Sequence, residues 1–555
     1  MTEPVAPQEQ YGPQPVTQQP YTQQPYTQQP YEQQPYEQQP YGQRGPFEQE
    51  PFPAAPELVE PEPVWNRLDL RMLVVRPLNE AVGLIPLILG LLVYGTRNIW
   101  QTVSGIAAVV LLVSVGLVHW LTTKYRITGD QVQLHKGLFV RKQFSVPRDR
   151  IRTVDLTAKL GHRLFGLSAI RIGTGEKAHT QHHELTLDAV SSAEAERLRQ
   201  VLLRKVAPST RQSEVDDSAP VDVEETPGTV LAQLKPGWLR YAPLTLSGLV
   251  AVGAAFGILM NFARELNLDP GHYGRDTVRW LADAPVGLIV GIIAGVVLVA
   301  AVFGSLIVYV FQFWGYRLTR ETDGTVRVRR GLLTTRSVSV EEKRLRGVEV
   351  QQPLLLRAGR GARVKAVTTG LSHHREGSLL LPPAPAAEAH RVSAEVLGVS
   401  ASPTTAPLVR HPRRALWRRL VRAVLPVLVI AGALGGLASL GQLPSWPWQV
   451  ALCLVPFAAL LGVDRYRNLG HALTDHYLVS RNGSVVRETV ALQRTGIIGW
   501  RISQSVFQRR AGLVTVAATT AAGTGAYHVL DVAEDDGLAL AEAAVPDLLR
   551  PFLVR

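Results

Sequence analysis

The residues best suited to hold a metal ion form one histidine cluster in a polar stretch, made of His179, His182 and His183. Spacings of three and one residues can bring imidazole nitrogens around zinc. No cysteine lies nearby and Glu184 is the only close acid, so a solvated loop between strands is the favoured interpretation. The sequence therefore predicts no metal site.

A histidine pair and a glycine-rich turn complete the candidates for chemistry. His373 and His374 occupy the corresponding loop of a second repeat, where a polar turn explains them equally well. The turn Gly359-Arg360-Gly361 is far too short for a phosphate loop. No G-x-S-x-G, Walker, H-E-x-x-H or dinucleotide fingerprint occurs in the sequence. We therefore expect no catalytic residue, no cofactor and no enzyme activity.

Basic side chains gather in two strand-rich stretches, at Arg141, Lys142, Arg148, Arg150 and Arg152 and at Arg327, Arg329, Arg330 and Arg336. One interpretation is attraction to anionic lipid headgroups, worth roughly 1 kcal/mol for each Lys or Arg near a membrane surface. The other is an ordinary solvated face on a domain that a membrane anchor already holds near lipid. We favour the solvated face slightly.

The elements that must position these residues repeat three times along the chain. Each repeat begins with two apolar runs, at 78–95 and 99–121, at 243–262 and 285–313, and at 423–440 and 446–463. A run of about 20 apolar residues can cross a bilayer as a helix, so each pair predicts a transmembrane hairpin. Residues of alternating polarity, typical of strands with one wet face, follow each hairpin and lead into one closing helix.

We therefore divide the chain into a tail at 1–63, hairpins at 64–122, 234–314 and 399–464, strand-rich domains at 123–206, 315–398 and 465–555, and an acidic linker at 207–233. The tail repeats a Tyr-x-Gln-Gln-Pro pentad without apolar residues for a core, which predicts disorder. The fold class is an integral membrane protein. Its six transmembrane helices, paired in hairpins, alternate with three small β-barrels, each closed by a C-terminal helix.

Charge and cysteine content limit the compartment and the partners. The net charge of +12 indicates, on a membrane protein, cytoplasmic segments facing anionic lipid rather than nucleic-acid binding. Every hairpin is flanked by more Arg and Lys than its tip carries, so we expect both termini and all strand-rich domains in the cytoplasm of a multi-pass plasma-membrane protein. Cys453 is the only cysteine, which excludes a disulfide within the chain.

One turn motif connects the repeats to a known family. In the third repeat Arg509 and Gly512 precede an alternating run, and Arg163 and Gly166 match them in the first. The second repeat reads Arg-Ala-Gly-Arg-Gly at 357–361, which we interpret as keeping the glycine with the arginine shifted by one position. Over residues 64–555 the pattern resembles bacterial PH-domain membrane proteins of the YdbT type.

That resemblance implies a seven-stranded PH-like barrel with a capping helix and no agreed substrate or catalytic residue. We interpret the Arg-x-x-Gly turn as architecture, because glycine permits a left-handed turn before the next strand. The leading hypothesis is a non-enzymatic scaffold or envelope-associated interaction protein presenting three cytoplasmic PH-like domains. Its expected partners are membrane lipids and either another protein or further copies of itself through those domains, without nucleic acid.

The alternative function is a six-helix transporter of lipid or a small molecule with PH-like regulatory domains. Ion-coupled carriers need ionisable groups at depth in the membrane. The apolar runs contain only Glu80 and His119, each near the end of a run. This scarcity favours membrane anchors over a transport path.

Overall fold

The computed structural model describes residues 65–72, 120–173, 185–203, 228–245, 285–369 and 377–546, apart from 129, 138–141 and 152, together with scattered positions in and near the apolar runs and residue 548. The predicted tail, most of the first hairpin, the first span of the second hairpin and most of the acidic linker lie outside these residues. What we predict for those segments stays a prediction.

The first unit consists of strands β1 (Asn66–Arg67), β2 (Lys124–Ile127), β3 (Gln131–Lys136), β4 (Lys142–Pro147), β5 (Thr153–Ala158), β6 (Leu167–Gly173) and β7 (Leu185–Ser191), with helices α1 (Leu160–Leu164) and α2 (Ser192–Leu203). Alternation of burial is clear in β6, where Ile170 and Ile172 are fully buried and Ala169 and Arg171 are partly exposed.

The second unit contains strands β8 (Thr229–Gln233), β9 (Arg317–Arg320), β10 (Thr325–Arg330), β11 (Thr335–Glu341), β12 (Leu345–Pro353), β13 (Gly361–Thr368) and β14 (Leu379–Pro385). Its helices are the apolar α3 (Val286–Phe313), the short α4 (Leu354–Ala358) and the closing α5 (Ala386–Leu397). The closing helix ends at Gly398, whose φ of +68° suits glycine.

The third unit begins with apolar helices α6 (Arg413–Ser439), α7 (Trp446–Cys453) and α8 (Val455–Arg467). Its strands are β15 (Gly470–Leu473), β16 (Tyr477–Asn482), β17 (Val486–Gln493), β18 (Gly499–Ser503), β19 (Leu513–Thr519) and β20 (Ala526–Ala533), with helices α9 (Val506–Arg510) and α10 (Glu534–Ala544). The closing helix stops two residues before Pro546, where proline would remove a backbone donor.

Three stretches of the described helices are long and apolar enough to cross a membrane: Ala294–Phe313, Arg413–Ser439 and Trp446–Arg467, with mean hydropathies of 2.5, 2.1 and 1.6. Protein buries only 6–11% of their most apolar windows, so their apolar side chains need lipid around them. The last two stretches pack against each other as the predicted third hairpin, and Cys453 is exposed on it.

The sheets do not stop at the unit boundaries. One four-stranded sheet has the order β1-β2-β3-β4, and a seven-stranded sheet runs β7-β6-β5-β11-β10-β9-β8. A six-stranded sheet follows with the order β14-β13-β12-β17-β16-β15, and β18-β19-β20 form the last. The second half of each of the first two units is therefore continuous with the first half of the unit that follows.

The hydrophobic cores follow this arrangement only in part. One core consists of first-unit residues alone, such as Leu134 and Ile170. Another joins second-unit residues such as Val348 and Leu381 to Val479 and Ala491 of the third unit. We expected three separate barrels, but the described strands share sheets between neighbouring units. The physical reason is that alternation marks a strand and its wet face without specifying which strand lies beside it.

Candidate functional site at the hairpin junctions

A β-bulge recurs in the last strand of every unit, where the ladder between the last two strands shifts register. The bulged residue lies three positions before the closing helix and is Ala189, Pro383 or Asp531. Ala189 and Asp531 have φ values of +80° and +57°, which are unusual for residues other than glycine. A bulge turns one carbonyl group out of the ladder.

In each unit that carbonyl oxygen accepts a hydrogen bond from the membrane hairpin or the segment entering it. The Asp69 N–H donates to the Ala189 oxygen at 3.2 Å. The Tyr309 hydroxyl in α3 donates to the Pro383 oxygen at 2.8 Å. His411 Nδ1 contacts the Asp531 oxygen at 3.2 Å. We call these three contacts the first, second and third junctions.

The third junction adds charge. The Asp531 side chain is fully buried, and Arg419 Nε donates to its Oδ2 atom at 2.7 Å. Arg418 forms an ion pair with Oδ1, and Gln508 Nε2 donates to the same oxygen at 2.8 Å. Both arginines belong to the first turns of α6, where the hairpin begins. Because a buried carboxylate is costly without partners, these contacts tie the hairpin to β20.

A histidine pair completes the third junction. His411 Nε2 lies 3.1 Å from His471 Nδ1 on β15. A carbonyl only accepts, so His411 donates from Nδ1 to the Asp531 oxygen and, while neutral, accepts at Nε2 from His471. Burial lowers the pKa of His411, and burial together with His411 lowers the pKa of His471 to about 4. Both rings are therefore neutral near pH 7.

A second polar cluster lies where the first unit meets the second. Glu196 on α2 forms a bidentate ion pair with Arg327 on β10, at 2.9 and 3.0 Å. Arg199 is almost fully buried and donates to Glu321 at 2.8 Å. Burial alone would raise the pKa of Glu196, but the guanidinium groups of Arg327 and Arg199 hold it below its usual range. This cluster fixes the closing helix of one unit on the next.

The predicted basic residues thus have two kinds of surroundings. Arg327 is paired within that cluster, and Arg330 lies 5.5 Å from the ring centre of Phe313, where a cation–π contact is favourable. Arg148 donates to the Val201 carbonyl oxygen. The interpretation of a solvated face is therefore wrong for Arg327 and Arg330, whereas Arg150 and Arg329 are exposed to solvent. Arg152 and the side chains of Arg141 and Lys142 lie outside the described residues.

The predicted histidine clusters at 179–183 and 373–374 also lie outside the described residues. Within the described part of the chain, no group of three His, Cys, Asp or Glu side chains could hold a metal ion. Asp531 has its oxygens occupied by donors and no exposed surface, so it is not placed to act on a substrate. The geometry of the third junction suits fixing a helix against a sheet.

The Arg-x-x-Gly motif has an architectural role, with one correction. Gly166 and Gly512 have φ values of +67° and +61°, as the turn requires. In the second unit the left-handed residue is Arg360, with a φ of +57°. Arg357 therefore keeps the position of Arg163 and Arg509, three residues earlier. Our expectation of a shifted arginine is wrong, because the substituted position is the glycine.

The first two of these arginines bind the following unit. Arg163 donates to the Leu332 carbonyl oxygen in the second unit, and Arg357 forms an ion pair with Asp464 of α8 at 2.9 Å. Arg509 belongs to the last unit of the chain and is exposed. The motif arginine is therefore a contact between consecutive units.

Comparison with known proteins also finds a threefold pattern. The family described as "Bacterial PH domain" matches residues 81–206, 276–398 and 425–544, which together exceed half of the chain. The chain belongs to the bacterial PH domain family. These matches fall on the three units and confirm the resemblance predicted from the turn motif.

A relative supports the membrane arrangement of these bacterial PH domains. The chain is 24% identical over 439 residues to "UPF0699 transmembrane protein YdbT" of Bacillus subtilis (strain 168), covering 77% of this chain and 85% of that protein. No solved structure matches the chain significantly. With its apolar helices, the chain is a transmembrane protein with repeated bacterial PH domains.

Sequence reasoning missed Asp531, His411 and His471. One pattern could have identified Asp531: Tyr527 and Val529 alternate as buried residues of β20, and Asp531 continues that series with a charged group. An acid at an apolar position of a strand needs a partner. Arg418 and Arg419 are among the basic residues that flank the third hairpin, a feature that predicts orientation but names no partner for Asp531.

Proposed function

We propose that this protein is a non-enzymatic membrane scaffold whose three bacterial PH domains form one cytoplasmic platform for partner proteins. The observation that carries the proposal is sheet continuity, since β5 pairs with β11 and β12 pairs with β17. Continuous ladders fix the spacing of the domains, which a platform needs and a set of independent tethered modules lacks. The basic residues flanking the hairpins support a cytoplasmic position.

The rival function, a transporter, makes a different demand on the membrane helices. A path needs side chains of defined polarity facing one another, whereas an anchor needs only apolar surface. In the described spans, large apolar side chains such as Phe303, Ile307 and Phe457 are 63%, 54% and 62% exposed. This surface suits contact with lipid.

The test uses the full chain in cells, with cross-linking and mass spectrometry of its cytoplasmic face. A variant with Phe303→Leu, Ile307→Leu and Phe457→Leu should keep the same cross-linked proteins, because lipid accepts any apolar side chain. Reconstituted protein should move fluorescent lipid or small solutes no faster than protein-free vesicles. Loss of the cross-linked set in the leucine variant, or flux above that background, would contradict the scaffold.

Topology is tested separately with reporter fusions. Fusions placed after Ala207, Ala401 and Arg555 should all report the cytoplasm, because basic residues flank every hairpin. An external signal from any one of them would remove a domain from the proposed platform.

A further inference from the structure

The two contacts between consecutive units use the same strand register. Val154 of β5 lies six residues before α1, and Val348 of β12 lies six residues before α4. Their partners Ser339 and Ala491 each lie two residues before the end of β11 and β17. The first unit therefore joins the second as the second joins the third. We call each such contact a joint.

Each joint has two different sides. One side is the strand before the short helix, β5 or β12. The other is β11, the fourth strand of the second unit, or β17, the third strand of the third unit. In the described structure, the counterparts of these strands at the two ends of the series pair on one side only. β4 pairs with β3 alone, and β18 pairs with β19 alone. The series thus ends in one strand edge of each kind.

The free β18 edge carries an apolar side chain that its counterparts bury. Ile502 is 39% exposed, whereas Leu156 and Val350, at the same position relative to the short helices, are 9% and 1% exposed in the two joints. The exposed Arg509 also corresponds to the arginines that bind the following unit. A third joint would bury one and give the other a partner.

We infer that a second copy of this chain pairs its β4 with β18 of the first, in the register of the internal joints. The inference rests on the proposed platform and names one of its partners. The two edges differ, so the contact is head-to-tail and extends to further copies. Unpaired backbone donors and acceptors on an exposed edge are the groups that another strand satisfies. The register places Ile502 opposite Gln143 and Arg501 opposite Phe144.

Charge makes this contact weaker than the internal joints. At the position of Arg501 the joints carry Asp155 and Glu349; burial raises the pKa of Asp155, and the nearby Arg336 and Arg171 act against that rise. On the β4 side, Lys136 already lies 5.4 Å from the Phe144 ring centre. Two cations therefore meet across the contact. Association should be reversible and should depend on the density of the protein in the membrane.

The decisive experiment is directed disulfide formation between two tagged full-length chains in membranes, both carrying Cys453→Ser. One chain carries Gln143→Cys and the other Ile502→Cys. Mild oxidation should link these two chains but not two Ile502→Cys chains, because the contact is head-to-tail. The matched control replaces the Ile502→Cys chain by a Val230→Cys chain, which should not link to Gln143→Cys. Val230 lies on β8, an edge strand whose counterparts are not paired in either joint.

Two charge variants test the same contact without oxidation, by co-purification of the two tags. Arg501→Glu restores the acid found at both joints and should raise the paired fraction roughly twofold to fivefold. Ile502→Lys should lower it by a similar factor, and Val230→Lys should not change it. Ile502 and Val230 are exposed, so lysine at either position is compatible with the fold.

Three outcomes would overturn the inference: no link between the Gln143→Cys and Ile502→Cys chains, equal linking of two Ile502→Cys chains, or a link formed within one chain carrying both substitutions. None of these outcomes would remove the scaffold, whose cross-linked proteins are measured independently. Loss of those proteins while the chains still link would instead contradict the proposed function alone.

Discussion

The first and third junctions hold the same backbone position with different chemistry. In the first, a backbone N–H of Asp69 reaches the Ala189 carbonyl, and Trp120 Nε1 donates to the Leu68 oxygen at 2.8 Å beside it. In the third, a histidine reaches the same carbonyl and two arginines hold the Asp531 carboxylate. The comparison teaches that the bulge determines where a hairpin contacts its domain. The side chains at the junction determine how strongly the contact holds the hairpin.

A second contact supports this distinction. Arg71 Nη1 donates to the Phe165 carbonyl at 3.2 Å, and Arg414 Nη1 donates to the Ala511 carbonyl at 3.4 Å. Both oxygens belong to the residue just before the left-handed glycine. A basic residue next to the hairpin therefore contacts the same turn in both units, although the neighbouring junctions differ in charge.

The largest effect should come from Asp531→Ala. It leaves Arg418 and Arg419 beside a buried site without their acid, and breaking a buried ion pair typically costs about 3–5 kcal/mol. We expect the third unit to unfold at lower urea than the first two units. Pulse proteolysis of the full chain in detergent, with fragments located by mass spectrometry, measures the change.

A triple variant is the matched control for that loss. Asp531→Ala combined with Arg418→Met and Arg419→Leu makes the third junction resemble the uncharged first one. Apolar residues often replace a buried ion pair at little cost, so most of the lost stability should return. A triple variant as unstable as Asp531→Ala would show that the carboxylate does more than balance the arginines.

Some of this arrangement could be predicted from sequence and some could not. The hydropathy of the sequence predicts the third hairpin, and the Arg-x-x-Gly motif predicts the turn at Gly512, because each feature depends on a local pattern of residues. The pairing of β12 with β17 joins Val348 to Ala491, far apart in sequence, and alternation does not encode such a choice. The partners of Asp531 come from α6, α9 and a segment before the hairpin, so only folding brings them together.

The next effect concerns Gly512→Val. At a φ of +61° a β-branched residue is strongly disfavoured, and an added Cβ atom would lie 3.3 Å from Arg414 Nη1. We expect the third unit to lose about 1–3 kcal/mol while the hairpin stays inserted. Limited proteolysis of membranes should show new cleavage after residue 470 with the apolar fragments still protected.

Arg360→Gly is the opposite change at the equivalent turn of the second unit. Glycine adopts the left-handed conformation of this position without strain, so the stability of the second unit should increase by up to about 1 kcal/mol. Equal protease resistance of Gly512→Val and the parent chain would mean that the turn tolerates any side chain, as the presence of Arg360 already suggests for flexible ones.

The histidine pair should make the third junction sensitive to acid. The pKa of His471 is lowered to about 4 in the folded chain, below its ordinary value of 6.5, so the unfolded state binds the proton first. The neutral His471 therefore contributes fully to the free energy of unfolding above pH 6.5, and this contribution is lost as the pH falls from 6.5 towards 4. Around the pair, Asp531 favours and Arg419 disfavours the charged form of His411, whereas Asp536 favours the charged form of His471.

Urea midpoints of the third unit at pH 7 and pH 5 measure this loss, with His471→Gln as the control. Glutamine keeps a donor but does not titrate between these values, so its midpoint should fall less than that of the parent chain. An equal fall in both proteins would assign the acid sensitivity to other groups, such as His528, whose pKa burial also lowers.

The smallest effect should come from the second junction, through Tyr309→Phe. The change removes one hydroxyl that donates to the Pro383 carbonyl at 2.8 Å and leaves the ring, which packs against Phe313, in place. A hydrogen bond between uncharged groups contributes about 0.5–1.5 kcal/mol, so the second unit should lose about 1 kcal/mol.

The second junction has neither a left-handed residue nor a charged group at its bulge, which is formed by Pro383. The hydrogen bond from Tyr309 therefore holds this junction without help from charge. Pulse proteolysis that separates the second unit from the third should therefore report a larger loss in the second. A loss as large as that of Asp531→Ala would mean that the shared carbonyl contact, and not the added charge, sets the strength of all three junctions.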